Sequence, residues 1–227
     1  MPDHASIYQR QAARYQQLID REDYRGNLPS VLQAIASFTD QDLVDLGAGT
    51  GRLSCLFANR VRSLVALDLS EHMLQTAAQR LHKLGASWLT AAADHRELPL
   101  PAGCADVVTS GWSFSYLKTW CEGSWKQAVI SGLVEIARIL RPGGKLILIE
   151  TLGTGRTTPR APAELRAYYD TLAEEGFRSL WIRTDYRFKN RQEAEELSGF
   201  FFGRQVLSAL SEEEQPVLPE CTGIWWR

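Results

Sequence analysis

Residues 43–51 have the sequence LVDLGAGTG, a short apolar run that is followed by three glycines within five positions. An apolar run of this length is typical of a buried strand, and glycines placed directly after a strand allow a tight turn into a helix. They also let a ligand approach the backbone closely. Because residues 51–60 form a helical pattern, the glycines lie between a strand and a helix, which indicates a nucleotide-type binding loop.

The same alternation continues along the chain. Short apolar runs alternate with helical patterns from residue 43 to residue 150, as in βαβ units, and such units build an open parallel sheet with helices on both faces. The run at 145–150 is apolar on both sides, so we expect it in the middle of the sheet. The predicted strands are 43–46, 64–67, 87–92, 105–109, 145–150, 180–188 and 222–226, and the predicted helices are 6–19, 30–38, 51–60, 71–84, 122–140, 163–176 and 191–210.

The composition is that of an ordinary globular domain. The chain has 227 residues, a formal net charge of −2, 44% hydrophobic residues and 23% charged residues. These values exclude collagen-like, disordered and disulfide-scaffold classes, and they give no electrostatic footprint for nucleic acid or an anionic membrane. No run reaches the roughly 18 apolar residues that span a bilayer. Because the first residues are also polar, we expect a cytoplasmic protein.

The cysteines and histidines do not indicate metal or disulfide chemistry. Cys55, Cys104, Cys121 and Cys221 are far apart and form no C-x-x-C pair, so we expect four reduced thiols. The four histidines lack the spacing of metal ligands. We therefore predict no metal site.

Three aspartates lie at or just beyond the ends of three successive predicted strands, where open α/β sheets bind their ligands. Asp68 can accept hydrogen bonds from both hydroxyls of a ribose, and Asp94 can accept one from the amino group of adenine. Asp45 precedes the first glycine by two positions, where a carboxylate repels a pyrophosphate and suits a cationic amine. The pattern indicates a nucleoside with a positive group and no phosphate.

Other interpretations of these residues stay open. Asp68 could cap the following helix, although Ser70 already offers that cap, and Asp94 could be a solvated turn residue. A nicotinamide-dependent oxidoreductase needs a G-x-G-x-x-G loop, whereas here the third glycine is one residue early and Arg52 occupies the sixth position.

The chain from about 40 to 150 resembles the class I S-adenosylmethionine-dependent methyltransferases, the small-molecule type in particular. The resemblance rests on the glycine loop at 44–51, on Asp68, on Asp94, on the fourth strand at 105–110 and on the Arg-Pro-Gly-Gly turn at 141–144. It implies an α/β fold with a Rossmann-like open sheet of seven strands, mostly parallel with an antiparallel last strand. It also implies a single methyltransferase domain with an N-terminal helical cap (1–39), a cofactor-binding core (40–151) and a C-terminal part with the substrate side (152–227).

The resemblance assigns roles to particular residues. Asp45, directly or through water, and the loop glycines Gly47 and Gly49 would hold the methionine end of S-adenosylmethionine, and Asp68 would hold the ribose. The other residues assigned to the cofactor are Tyr15, Leu69, Met73, Asp94, His95 and Ser110, with Leu69 and Met73 beside the adenine. Trp112, Phe114 and Tyr116 are expected on the substrate side. Leu69, Met73, Trp112 and Phe114 have an equally good interpretation as core residues.

The implied reaction is methyl transfer to an O, N or C nucleophile of a small molecule by in-line displacement. A base is needed only when the nucleophile must lose a proton, so no catalytic residue is predicted, and His95 is more simply explained by packing. Nucleic-acid amino methyltransferases carry Asn/Asp-Pro-Pro-aromatic where this chain has Thr-Ser-Gly-Trp at 109–112, which argues against methylation of the exocyclic amine of a base. We expect no nucleic-acid partner. A non-catalytic S-adenosylmethionine-binding protein remains the alternative, ahead of an oxidoreductase.

Overall fold

A computed structural model describes residues 3–85 and 87–227 of the chain. Its α-helices are α1 (His4–Arg10), α2 (Ala12–Ile19), α3 (Asn27–Ile35), α4 (Arg52–Phe57), α5 (Glu71–Leu84), α6 (Tyr116–Trp120), α7 (Trp125–Ile139), α8 (Arg166–Glu174) and α9 (Arg191–Phe201). Its strands are β1 (Asp42–Leu46), β2 (Ser63–Asp68), β3 (Trp88–Ala92), β4 (Ala105–Gly111), β5 (Leu140–Thr154), β6 (Arg178–Arg183), β7 (Tyr186–Arg187), β8 (Val217–Leu218) and β9 (Glu220–Trp226). Two short 3₁₀ helices, Ala163–Leu165 and Arg204–Ala209, complete the described elements.

Seven strands form one sheet in the order β3-β2-β1-β4-β5-β9-β6, and β7 pairs with β8 separately. The pairs from β3 to β5 are parallel, whereas β9 runs antiparallel to both of its neighbours. The predicted α/β class and the antiparallel last strand are therefore confirmed. The strand order reverses between β1 and β4, and the crevice at the carboxyl ends of strands beside such a reversal is where open sheets bind ligands.

The core lies on both faces of the sheet. Leu146 and Leu148 of β5 belong to the hydrophobic cluster under α7, whereas Ile147 and Ile149 belong to the cluster under α3 and α4. Alternate side chains of a strand point to opposite faces, so β5 buries apolar groups on both sides. This confirms its predicted place in the interior of the sheet.

The helix that follows β2 begins and ends as the sequence predicts. The Ser70 hydroxyl accepts the N–H of Met73 at 3.3 Å, and Gly85 ends α5 in a left-handed conformation with φ +67°. A side-chain cap at the N-terminus and a glycine at the C-terminus satisfy backbone groups that the helix leaves unpaired. The cap fixes Leu69 and Met73 beside the end of β2.

Several predicted boundaries are wrong. The helix predicted at 6–19 is interrupted at Gln11, whose ψ of 32° with φ −132° is not helical, and the freed N–H of Ala12 donates to His72 Nε2 at 3.4 Å. The strand predicted at 180–188 ends at Arg183, and the helix predicted at 191–210 ends at Phe201. Gly203, with φ +86°, prevents that helix from continuing into the 3₁₀ turn.

The turn predicted at 141–144 lies inside the long strand β5, which begins at Leu140. The strand accommodates it through a change of register between Ala105 and Val107 of the neighbouring β4 and through Gly143, whose φ is +82°. Among the residues that the structure describes, no helix is long and apolar enough to cross a membrane.

Candidate functional site

The candidate site is a cavity at the carboxyl ends of β1, β2 and β4, with an empty volume of about 510 Å³ including the space open to solvent. Its walls come from the glycine loop, from the start of α5, from the segment after β4 and from the N-terminal helices. The lining residues are Tyr8, Tyr15, Gly47, Gly49, Asp68, Leu69, Met73, Ala93, His95, Gly111, Trp112, Ser113, Tyr116 and Trp120.

The glycine loop forms one wall because side chains would not fit there. Gly47 has φ +62°, and a Cβ at this position would lie 1.6 Å from Ser113 Oγ. Gly49 has φ +55°, and its N–H donates to Asp68 Oδ2 at 2.8 Å. Left-handed backbone conformations favour glycine at both positions, and at Gly47 the close approach of Ser113 also excludes a side chain. The loop therefore presents bare backbone to the cavity.

Asp68 is the acidic side chain of this cavity. Its Oδ2 accepts the N–H of Gly49, and its Oδ1 accepts the N–H of Ser70 at 2.7 Å. Burial raises the pKa of Asp68, while the two backbone donors act against that shift. A carboxylate offers about four acceptor positions, so two N–H donors leave capacity for further donors from a ligand. No lysine or arginine is found among the cavity-lining residues that the structure describes.

Asp45 lies under the loop, and its carboxylate is almost completely buried. Its oxygens accept the N–H of Ser54 at 3.0 Å, the Ser54 hydroxyl at 2.6 Å and the Thr109 hydroxyl at 2.9 Å. Burial raises the pKa of Asp45 to about 6 despite these donors. Asp45 does not line the main cavity. It lines a second cavity of about 320 Å³ on the other side of the loop.

Asp94 has a different environment from the other two aspartates. Its Oδ1 accepts Arg96 Nε at 2.8 Å, and its Oδ2 accepts Arg96 Nη2 at 2.7 Å. The Arg96 guanidinium lowers the pKa of Asp94. Asp94 lines neither cavity, so an adenine amino group could reach this carboxylate only if the ligand or Arg96 moves.

His95 and Ser113 form a polar pair in the cavity wall, with 2.9 Å between His95 Nε2 and Ser113 Oγ. Burial lowers the pKa of His95 to about 4, so its imidazole is neutral at pH 7. From the sequence, we expect His95 beside the cofactor and explain it more simply by packing than by catalysis. The structure adds a side chain that faces the glycine loop, because a Cβ at Gly47 would lie 3.3 Å from His95 Cε1.

Aromatic rings form the wall opposite the loop. The Tyr8 and Tyr116 hydroxyls are 2.8 Å apart, and the Tyr116 hydroxyl is 3.1 Å from His4 Nδ1. His4 Nε2 is 3.0 Å from the carbonyl oxygen of Phe201, which can only accept, so Nε2 carries a proton. This hydrogen-bonded chain ties α1 to α6 across the cavity. Trp120 stacks on Tyr116 with 4.7 Å between ring centroids.

The structure brings most of the predicted site residues together. Those that line the main cavity are Tyr15, Gly47, Gly49, Asp68, Leu69, Met73, His95, Trp112 and Tyr116. Ser110 and Phe114 are fully buried outside it. Phe114 packs against α7, where a Cβ at Gly132 would lie 2.8 Å from its ring. Its interpretation as a core residue, which the sequence left open, matches this position.

The cationic stretch at 183–191 does not line the cavity. Arg183 pairs with Asp185 at 2.7 Å, Arg191 pairs with Glu195 at 2.7 Å, and the Arg187 guanidinium lies 4.5 Å from the Tyr24 ring centroid. These cations therefore have partners within the protein. Among the described residues, no group of three or more histidine, cysteine, aspartate or glutamate side chains could hold a metal ion.

Comparison with known proteins finds a family model and relatives that match part of the chain. Residues 44–148 match the family model of the methyltransferase domain. Over 120 residues the chain is 33% identical to malonyl-(acyl-carrier protein) O-methyltransferase of Serratia marcescens, covering 53% of this chain and 42% of that protein. It is 31% identical over 137 residues to demethylmenaquinone methyltransferase of Clavibacter sepedonicus, covering 60% and 49%. The chain thus spans less than half the length of these relatives.

The fold of one solved structure superposes on almost the whole chain. The S-adenosylmethionine-dependent methyltransferase from Aquifex aeolicus superposes with a TM-score of 0.57 at 18% identity, covering 95% of this chain and 97% of that one. At this identity the likeness concerns the fold alone. The family model, the relatives and the solved structure together support a class I S-adenosylmethionine-dependent methyltransferase.

The cofactor of this methyltransferase family fits the chemistry of the cavity. S-adenosylmethionine joins a ribose and an adenine to a positively charged sulfur and carries no phosphate. The cavity offers a carboxylate with free acceptor positions, a bare glycine loop, apolar contacts and aromatic rings, which attract cations. A dinucleotide would also place a ribose at Asp68, but it would bring a pyrophosphate to the glycine loop, close to the buried Asp45 carboxylate. The charge of Asp45 therefore opposes the oxidoreductase interpretation.

Five lining residues of the main cavity were absent from the predicted site: Tyr8, Ala93, Gly111, Ser113 and Trp120. The spacing of Tyr8 and Tyr15 was a usable signal, because seven residues make two helical turns, but Gln11 interrupts the helix. Ser113 and Trp120 had no local signal. They reach the cavity because Trp112 adopts φ +51°, which is unusual for a bulky residue and redirects the chain after β4.

Proposed function

We propose that this protein transfers the methyl group of S-adenosylmethionine to an oxygen, nitrogen or carbon nucleophile of a small molecule by in-line displacement. The observation that carries the proposal is the cavity itself, in which the glycine loop and Asp68 face an aromatic wall. The cofactor supplies both the methyl group and the leaving group. The protein then has to bind two reactants in line and exclude water, which contributes on the order of 7–11 kcal/mol at best.

The residues around the loop would hold the cofactor. Asp68 accepts from the ribose hydroxyls with the acceptor positions that Gly49 and Ser70 leave free. Leu69 and Met73 flank the adenine, and Asp45 receives the cationic end of the methionine from the second cavity. Ser110, Phe114 and Asp94 have no direct contact with the ligand in this arrangement, because they do not line the cavity.

The acceptor would enter past the exposed side of the aromatic wall. Leu69 and Trp120 are 56% and 52% exposed although both line the cavity, so they mark its mouth. Trp112 and Tyr116 lie deeper in the same cavity and could hold a flat or apolar acceptor. The named relatives act on a malonyl-(acyl-carrier protein) and on demethylmenaquinone, which supports acceptors from metabolism without selecting one.

The test has a binding step and a transfer step. Calorimetric titration with S-adenosylhomocysteine should show one site, and Asp68→Asn should weaken it. Methyl-labelled S-adenosylmethionine is then incubated with the low-molecular-weight fraction of a cell extract and, separately, with its nucleic acids. Label in the first fraction supports the proposal, and label in the second overturns the small-molecule assignment. Binding without transfer indicates a non-catalytic binding protein, whereas absence of binding removes the proposed function entirely.

A further inference from the structure

The hydrogen-bonded chain in the aromatic wall carries an inference about the proton that a methyl acceptor has to lose. Its members are Tyr8 and Tyr116, which line the main cavity, and His4, which does not line it. The Tyr8 and Tyr116 hydroxyl oxygens are 2.8 Å apart, and the Tyr116 oxygen is 3.1 Å from His4 Nδ1. His4 is half-buried. The hydrogen-bonded chain therefore leads from the cavity wall to a side chain that solvent can reach.

The direction of these hydrogen bonds follows from the outer end of the chain. His4 Nε2 donates to the carbonyl oxygen of Phe201 at 3.0 Å, so in the neutral imidazole Nδ1 has no proton and accepts. The single proton of the Tyr116 hydroxyl therefore points to His4, and the Tyr116 oxygen accepts the proton of Tyr8. The Tyr8 oxygen keeps acceptor capacity only, so a polar ligand group that binds it has to be a hydrogen-bond donor.

The surroundings of His4 suit both the neutral imidazole and the imidazolium. The ring stacks on Phe201 with 4.6 Å between centroids and 15° between planes, which fixes its orientation. Both ring nitrogens donate in an imidazolium. After proton uptake at Nδ1, the Tyr116 oxygen and the Phe201 carbonyl oxygen would each accept one of the two N–H groups. His4 can thus take up a proton without losing a hydrogen-bond partner.

The two tyrosines can pass a proton on but do not keep a negative charge. Burial raises the pKa of Tyr8, and it raises the pKa of Tyr116 to about 12. A tyrosinate is therefore unfavourable at either position, so a proton that reaches Tyr8 from the cavity has to continue to His4. Histidine is the side chain whose charge changes most readily near neutral pH.

Two other proton acceptors of the main cavity are less suited to this role. Asp68 accepts the N–H groups of Gly49 and Ser70, and its remaining capacity is proposed for the ribose. Burial lowers the pKa of His95 to about 4, which makes its imidazole a weak base at pH 7. Unlike these two side chains, the hydrogen-bonded chain connects the cavity with solvent.

We propose that Tyr8 accepts the proton of the methyl acceptor and that Tyr116 and His4 carry this proton out of the cavity. The nucleophilic atom of the acceptor then bears hydrogen, as in a hydroxyl or an N–H group. While this atom bonds to the methyl carbon, the carbon–sulfur bond breaks and its electron pair stays on sulfur. The acceptor proton passes to the Tyr8 oxygen, the Tyr8 proton to the Tyr116 oxygen, and the Tyr116 proton to His4 Nδ1. The imidazolium then releases a proton to solvent. The assignment rests on the proposed function.

The first test needs neither cofactor nor acceptor. Nuclear magnetic resonance of protein with nitrogen-15-labelled histidine distinguishes ring nitrogens that bear hydrogen from those that do not. The chain has four histidines, and the signals that disappear in His4→Asn belong to His4. At pH 8 His4 should carry its hydrogen on Nε2. A hydrogen on Nδ1 instead would reverse the direction of the hydrogen-bonded chain and overturn the proposal.

The second test follows transfer of labelled methyl from S-adenosylmethionine to the low-molecular-weight fraction of a cell extract. Tyr8→Phe, Tyr116→Phe and His4→Asn should each lower kcat about 100-fold, because a positioned proton acceptor contributes roughly 10²- to 10⁴-fold. The KM for S-adenosylmethionine and the calorimetric affinity for S-adenosylhomocysteine should change less than about 3-fold. Since the three residues form one path, the double variant Tyr8→Phe/His4→Asn should be no slower than either single variant.

Two matched controls report on general damage. His72 Nε2 accepts the N–H of Ala12 at 3.4 Å and so holds α2, and the Tyr169 hydroxyl donates to the carbonyl oxygen of Thr151 at 2.6 Å. Neither His72 nor Tyr169 lines the main cavity. His72→Asn and Tyr169→Phe should therefore keep the wild-type kcat.

The remaining outcomes separate the proton route from a structural role and from the proposed function. Wild-type kcat in the three single variants overturns the proposal, as do additive losses in the double variant. An equal loss of kcat and of affinity for S-adenosylhomocysteine also overturns it, because the hydrogen-bonded chain would then only tie α1 to α6. A product whose new methyl group lies on an atom that bore no hydrogen has the same consequence. If wild-type protein labels nothing in the extract fraction, the proposed function fails first and the proton route fails with it.

Discussion

Carboxylates at the two ends of the main sheet have opposite environments: at one end they are ion-paired, and at the other most are not. At the amino ends of β1 and β4, Asp42 and Asp106 pair with Arg62 and Arg141 at 2.5–3.0 Å. Hydrogen bonding from Arg62 lowers the pKa of Asp42, and hydrogen bonding from the Asp42 backbone together with Arg141 lowers that of Asp106. The opposite edge of the sheet, where the parallel strands end and β9 begins, carries acids that form no ion pair within the described residues. They are the buried Asp45, Glu150 and Glu220 and the partly buried Asp68.

Burial raises the pKa of each of these four acids, to about 6 for Asp45, about 7 for Glu150 and about 8 for Glu220. Their partners are N–H and O–H donors, such as the Ser115 hydroxyl at 2.8 Å from Glu150 and the Thr151 hydroxyl at 2.7 Å from Glu220. An ion-paired acid is already neutralised by the protein, whereas an acid without a cation can serve a ligand. We therefore expect ligands at the edge of the sheet where the parallel strands end and a structural role for the acids at the other edge.

The largest effect is expected at Asp68. Asp68→Asn should weaken S-adenosylhomocysteine about 100-fold, because hydrogen bonds to a charged acceptor contribute roughly 1.5–3 kcal/mol each. Calorimetric titration at pH 7 measures this loss. The comparison with the other end of the sheet comes from Asp106→Asn, which should leave the affinity unchanged.

Asp68 also accepts the N–H of Gly49, so the variant could disturb the loop itself. Urea unfolding without ligand separates the two effects, since loop damage lowers the free energy of unfolding in the absence of ligand. If Asp68→Asn binds S-adenosylhomocysteine with wild-type affinity, Asp68 does not bind the ribose. The proposed difference between the two ends of the sheet would then be contradicted.

A smaller effect is expected from Glu220 on the pH dependence of stability. The folded pKa of about 8 lies above the ordinary value of 4.5, so the folded state binds the proton more tightly than the unfolded state. The stability that Glu220 contributes is present at low pH and is lost as pH rises from about 4.5 through 8. Glu220→Gln cannot ionise and should reduce the loss of unfolding free energy between pH 5 and pH 8 by on the order of 2 kcal/mol.

Urea titrations of wild type and Glu220→Gln at several pH values measure this slope. Glu175→Gln is the matched control, because Glu175 is exposed and should leave the slope unchanged. An identical slope in wild type and Glu220→Gln contradicts the assignment of an unpaired buried acid to this end of the sheet.

The contribution of Asp42 to the pH dependence of the free energy of unfolding should be smaller than that of Glu220 and opposite in sign. Its lowered pKa contributes stability above the ordinary pKa of 3.8, and this stability is lost as pH falls through the lower folded pKa. Asp42→Asn should therefore lower the free energy of unfolding by about 1 kcal/mol at pH 7 and flatten the acid limb of the stability curve. Binding of S-adenosylhomocysteine should be unchanged. If wild type loses no more stability than Asp42→Asn as pH falls below about 3.8, the expected sign is contradicted.

Much of the fold could be predicted because its signals are local. The run at 145–150 is apolar on both faces, which requires a covered interior strand, and Ser70 with Gly85 marks both ends of α5. The break at Gln11 had no such signal, since neither glycine nor proline is present there. It depends on His72, which is distant in sequence and accepts the freed N–H of Ala12.

A site residue was predictable where its place follows from the local sequence alone. Gly47 and Asp68 follow directly from the order of strand, turn and helix. Ser113 and Trp120 could not be found in this way, because their position depends on the backbone conformation of Trp112 and on packing between distant segments. The same limit applies to Asp94, whose local pattern resembles that of Asp68.

Asp94 gives the smallest expected effect and the sharpest test of the comparison, because it lies at the binding end but is ion-paired like the acids of the other end. It follows β3, an edge strand, so Arg96 can reach it from solvent. Asp94→Asn should change the affinity for S-adenosylhomocysteine less than about 3-fold, since Arg96 already occupies both oxygens. S-inosylhomocysteine lacks the adenine amino group. The ratio of its affinities for wild type and Asp94→Asn should equal the ratio found with S-adenosylhomocysteine. If Asp94→Asn loses affinity for S-adenosylhomocysteine but not for S-inosylhomocysteine, Arg96 releases Asp94 and the adenine amino group binds in its place. An ion pair would then not exclude an acid from the site.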